Sequence, residues 1–174
     1  MKKIIISFFL LLISAAINAQ TADEIQTLLE TPAVSYEQAA RFVLEAADVI
    51  ISYGKSSDLD AAQNAMSYAV ERNWLPKKAA AQDAISLESL SLLIMRAFRL
   101  KGGPMYTWSK SAHYSYREMV YKDFIRGRTD PQMKVSGETM LSIVSRVMFF
   151  IEENPWELPE QPEEIYADVP EDEQ

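Results

Sequence analysis

Apolar side chains return at intervals of three and four residues over nearly the whole chain, the spacing that gathers them on one face of an α-helix. In SLESLSLLIMRAFRL, Leu87, Leu90, Ile94 and Phe98 form such a stripe, widened by Leu93 and Ala97. SYEQAARFVLEAADVII places Ala39, Phe42, Val43, Ala46 and Ile50 in the same way, and SGETMLSIVSRVMFFI does so with Met140, Ile143, Val144, Val147 and Ile151. DLDAAQNAMSYAVERNW and SAHYSYREMVYKDF predict two more helices, the first opened by Ser57 with Asp60 three residues on as a capping box. Gly54, Gly102 and Gly127 are expected to end helices, since glycine takes the left-handed conformation without steric cost. No stretch alternates as a strand does, so the fold class predicted is all-α.

The same phrase is written three times. Placing Ser35 on Ser86 and Ser86 on Ser136 aligns Val34, Ile85 and Val135, aligns Glu37, Glu88 and Glu138, and sets Arg96 on Arg146. Upstream, Val70 falls on Val120 and Trp74 on Phe124. The spacing is 51 residues for the first pair and 50 for the second. Each unit reads as a helix, a short connection and a second helix opened by an apolar residue, serine, any residue and glutamate. Such tandem helix pairs predict one compact helical domain over residues 20–154, with units at about 22–54, 57–102 and 109–153, the first truncated. Ser35, Ser86 and Ser136 have the chemistry of N-caps, their hydroxyls accepting from unpaired backbone N–H groups. The glutamates then fall in the first turn, where the helix dipole favours negative charge.

The two ends differ from this body. MKK, an apolar run and NAQ have the three regions of a secretory signal over residues 1–19, which predicts export to the periplasm or cell envelope and no membrane span after cleavage. There is no cysteine, hence no lipidated cysteine, disulfide or thiolate metal site. The net charge of −8 is carried by the C-terminal end. From Glu152 onward there are ten acidic residues, four prolines and no basic residue, whereas Gln20 to Ile151 holds fifteen of each sign. Nucleic acid is thereby disfavoured as a partner, because a phosphate backbone calls for a concentrated positive surface. The tail 155–174 reads as a solvated extension, yet Trp156, Leu158, Ile165, Tyr166 and Val169 give it apolar groups that can dock. One expectation is that residues 156–169 fold back over the third unit with Trp156 as anchor.

That third unit carries the candidate ligand-binding residues. The alignment makes Tyr116 and Phe124 core positions, matched by Met66 and Trp74, and leaves Tyr114 and Tyr121 on the outer side, opposite Asn64 and Glu71. With Tyr106 and Trp108 they compose an aromatic platform beside Arg117, Arg126 and Arg128, which suits sugar rings or proline-rich peptides. The alternative is an ordinary loop whose aromatics cover the end of the bundle. His113, the single histidine, lacks companion ligands, so neither a metal site nor a cofactor is expected. Glu118, Asp123 and Asp130 do not single out a carboxyl pair across a cleft, and no enzyme activity is expected.

YREMVYKDFIRGRTDPQMKVSGETMLSIVSRVM resembles a bacterial S-layer homology module, and RNWLPKKAAAQDAISLESLSLLIMRAF is a weaker copy. The resemblance implies three tandem modules around a pseudo-threefold axis and noncovalent attachment to cell-wall glycan. The sequence departs from that pattern where the family carries a ligand-contacting arginine, since Tyr36, Leu87 and Gly137 stand there instead. The function expected is an exported, non-enzymatic binding or structural module of the cell envelope, its partner a cell-wall glycan. The alternative is a periplasmic adaptor for an envelope protein, with an autoinhibitory or partner-binding acidic tail.

Overall fold

The structure, a computed structural model, describes residues 24–47 and 58–154. The predicted signal, Ile50, Gly54, Ser57 and the acidic tail lie outside the described residues. The fold is all-α. The described residues form seven helices: α1 (24–30), α2 (Tyr36–Ala46), α3 (Asp58–Glu71), α4 (Leu87–Ala97), α5 (Pro104–Ser109), α6 (Ala112–Tyr121) and α7 (Gly137–Glu153). The only extended pairing among them is two isolated bridges, Ser35 with Ala84 and Ser86 with Lys134.

Three of these helices start alike. The Ser35 hydroxyl accepts from the Gln38 amide at 3.2 Å, and the Gln38 side chain accepts from the Ser35 amide at 3.0 Å, closing a capping box on α2. Ser86 accepts from the Ser89 amide at 3.3 Å on α4, and Ser136 from the Thr139 amide at 3.2 Å on α7. Each cap satisfies one amide that the first helical turn leaves without a partner.

The helix ends differ from the expectation of glycine. Asn73, Arg99 and Asp123 take the left-handed conformation directly after α3, α4 and α6, with φ of 57°, 53° and 61°. In each case the next residue's amide reaches back to a carbonyl five positions earlier: Trp74 to Ala69 at 2.8 Å, Leu100 to Met95 at 3.0 Å, Phe124 to Met119 at 2.9 Å. This is the Schellman arrangement. It tolerates a side chain here because it swings an apolar residue, Leu100 or Phe124, into the core, and that burial offsets the left-handed strain. Gly127, at φ 84°, turns the chain later, between α6 and α7.

The core is drawn from every helix, with α4 at its centre. Eight of its eleven residues are buried, including Leu87, Leu90, Leu93, Ile94 and Met95, as befits a helix apolar on most sides. Around it lie Ala39, Ala40, Val43 and Leu44 of α2, Ala65 and Ala69 of α3, Met119 of α6, and Met140, Ile143, Val144 and Val147 of α7. α2 packs chiefly on α3 and α4 on α6, while α2 also meets α4 and α7. Buried hydroxyls are paired: Ser91 donates to the Leu87 carbonyl at 2.7 Å and Ser115 to the Ser111 carbonyl at 2.8 Å. Val120, expected in the core by its match to Val70, is instead 41% exposed. The inward face of α6 is centred on Ser115 and Met119, and Val120 lies about 100° around the helix from Met119.

The three openings are joined to one another by backbone. The Val34 amide donates to the Val135 carbonyl at 2.8 Å, the Val135 amide to the Ile85 carbonyl at 3.3 Å, and the Ile85 amide to the Val34 carbonyl at 2.9 Å. The cycle closes on itself, and all three residues are essentially inaccessible to water. A second, outer set runs the opposite way round: the Tyr36 amide donates to the Asp83 carbonyl at 3.0 Å, Leu87 to Met133 at 3.0 Å, and Gly137 to Thr31 at 2.9 Å. Beyond it Gln82 donates to the Glu37 carboxylate at 2.7 Å, and Gln132 donates to Glu88. Three segments some 50 residues apart are thus locked into one hub.

Candidate functional site

Outside the hub, the residues singled out by sequence lie on α5, α6 and the turn from α6 to α7. Pro104 starts α5, a helix of six residues that packs on α6. Trp108 stands on it 86% exposed. Tyr106 does not join the platform. It is only 6% exposed, because its ring lies over Gly102, where a Cβ would come within 2.4 Å of the ring. Burial pushes the Tyr106 hydroxyl above its ordinary range, with Arg96 opposing the shift and Glu118 adding to it. Gly102 therefore serves to admit an inward tyrosine.

On α6, Tyr114, Arg117 and Tyr121 fall at i, i+3 and i+7 and share one stripe. Tyr114 is half-buried against the core, its ring meeting His113 edge-on at 5.4 Å. Arg117 is exposed, and Tyr121, the last residue of the helix, is 86% exposed. The stripe thus runs from a seated aromatic, past a cation, to an aromatic in solvent. The following turn is pinned from α6 by the Tyr116 hydroxyl, 3.1 Å from the Thr129 carbonyl and 2.9 Å from its hydroxyl. Arg126 and Arg128 are exposed on that turn, and Arg126 pairs with Asp123 at 2.8 Å.

Arg126 also lines an open groove of about 280 Å³ with Lys122, Asp123, Phe124, Ser145, Arg146 and Phe149. Its lining is mostly apolar and includes three cations and one carboxylate. Arg146 donates to the Phe124 carbonyl at 2.7 Å and to the Ser142 hydroxyl at 2.7 Å, two neutral acceptors that fix the guanidinium without cancelling its charge. Phe149 is 60% exposed beside it. Ser145, Arg146 and Phe149 are not among the residues that the helix-pair alignment singles out as a site. The signal was present: Met148 and Phe149 fall off the apolar stripe of α7, so the helix carries large apolar groups on its outer side.

The site brings together Tyr114, Arg117 and Tyr121 on one helix and gathers Arg126 into the groove. Tyr106 is excluded from it. Chemically, the arrangement offers flat apolar faces and guanidinium donors in solvent. Among the described residues no three His, Asp or Glu side chains group as a metal ion would need, and no helix is long and apolar enough to cross a membrane. No family model matches the chain, and no curated protein or solved structure does either.

Proposed function

We propose that the protein is an exported, non-enzymatic binding module of the cell envelope that holds a cell-wall glycan against the outer side of α6. The observation that carries this reading is the exposure of Tyr121, in line with Arg117 and beside the arginine-rimmed groove. A large aromatic left in solvent next to fixed cations marks a contact surface. Sugar rings stack on such faces, while guanidinium groups take their hydroxyl and acidic substituents. The hydrogen-bonded hub supports the reading from another side. An arrangement of three openings about a closed centre accords with what the resemblance to S-layer homology modules implies, and it gives the surface a rigid base.

Sedimentation with purified sacculi tests this. Co-pelleting that soluble wall fragments compete away is expected. Each aromatic contact is worth about 0.5–1.5 kcal/mol, so Trp108→Ala with Tyr121→Ala is expected to weaken pelleting roughly tenfold. A protein that stays in the supernatant would overturn the glycan reading in favour of an envelope-protein partner. Release of soluble fragments would make it an enzyme.

A further inference from the structure

The groove at the α6–α7 junction has features that a glycan surface on α6 does not account for. It is the one place among the described residues where an exposed phenylalanine, a fixed arginine without a carboxylate partner and two more cations share a concave surface. Its lining holds Lys122, Arg126 and Arg146 with one carboxylate, Asp123, which pairs with Arg126 and leaves Arg146 with neutral acceptors only. The helix that forms one wall ends at Asn154, whose side chain donates to the Phe150 carbonyl at 2.9 Å and whose φ of −131° leaves the helical region. Pro155 follows and forbids continuation of the helix. The chain therefore leaves α7 one and a half turns beyond Phe149, and the twenty residues that follow carry eight carboxylates and no basic group.

We propose that this groove is the seat of the protein's own C-terminal segment, residues 155–174, with Trp156 against Phe149 and with Glu157 and Glu160 against Arg126 and Arg146. The reach is sufficient. Phe149 lies ~7.5 Å back along the helix from Asn154 and Arg146 ~12 Å back, at ~1.5 Å per residue. An extended chain covers ~3.3 Å per residue, so the backbone at Trp156 reaches up to ~7 Å from Asn154, its indole closing the remainder, and Glu160 reaches up to ~20 Å. Four prolines reduce the freedom lost on seating, and tethering supplies a high local concentration, so weak individual contacts suffice. A seated tail covers Arg126 and lies beside Tyr121, which makes it a competitor for the face on α6. The proposal rests on the charge and geometry of this chain and holds whether that face takes glycan or protein.

The test uses the full chain labelled with 5-fluorotryptophan, the Trp156 resonance being assigned with Trp156→Phe. In dilute buffer Trp156 is expected to show a shifted resonance and a solvent isotope effect well below that of the free amino acid. Phe149→Ala, Arg126→Glu, or salt raised from ~0.1 M to ~1 M, which shortens the Debye length from ~10 Å to ~3 Å, is expected to return it to the free position. Glu157→Lys with Glu160→Lys does the same without touching the folded body, and combining that pair with Arg126→Glu is expected to restore part of the shift. A wild-type Trp156 as solvated as the free amino acid overturns the proposal. A shift that grows with protein concentration overturns it too, by assigning the groove to the tail of a second copy. Neither result bears on sacculus pelleting.

Discussion

Gly137 shows how one absent methyl group shapes the fold. It occupies the first position of α7, where the other two openings carry Tyr36 and Leu87. A Cβ at Gly137 would lie 1.6 Å from the Leu28 carbonyl oxygen and 2.5 Å from its carbon. Both are backbone atoms, so no rotamer change relieves the clash. Gly→Ala within a helix ordinarily stabilises by roughly 0.5–1 kcal/mol. Here the sign reverses: Gly137→Ala is expected to cost about 2 kcal/mol or more, as overpacking does, by pushing α1 from its seat and breaking the bond from Gly137 to Thr31. Urea unfolding checks it, and an unchanged or raised midpoint would mean that α1 does not lie there. This reason was not legible in the sequence, where Gly137 registers only as a departure from a family motif. The cause sits on a segment remote in the chain, whereas for Tyr106 it sits on Gly102, only four residues away.

At the level of elements, local contacts were the readable ones. The caps on α2, α4 and α7 join residues three apart, and the stripes of α4 and α7 follow from spacing alone. Helix ends were harder, because a left-handed residue that is not glycine is stabilised by what its neighbour buries. Arg99 is the strongest case, since one of its guanidinium nitrogens is also buried without a partner. Comparing Arg99→Gly with Arg99→Ala isolates the backbone, both variants having lost the long side chain. The glycine variant is expected to be the more stable by about 1 kcal/mol, measured as the difference in thermal or urea unfolding. Equal stability would place Arg99 outside the left-handed region. The same principle governs Val120: a match in sequence fixes its place along α6, but the rotation of α6 about its axis decides its exposure.

The whole molecule is governed by the hub, whose bonds join positions that the sequence aligns but cannot show to be touching. The three recurring openings were visible as a pattern, and the groove was not, because it forms between the end of one helix and the flank of another. A helix frays from its ends and a sheet opens from its edges, yet the cycle of Val34, Ile85 and Val135 has neither. Releasing any one of its amides requires moving a segment held by the other two. Hydrogen exchange should therefore find these three amides among the slowest in the protein, lost together and with the denaturant dependence of global unfolding. The centre of the molecule then reports the stability of the whole, and an outward site can loosen, bind or be covered while that centre keeps the same clock.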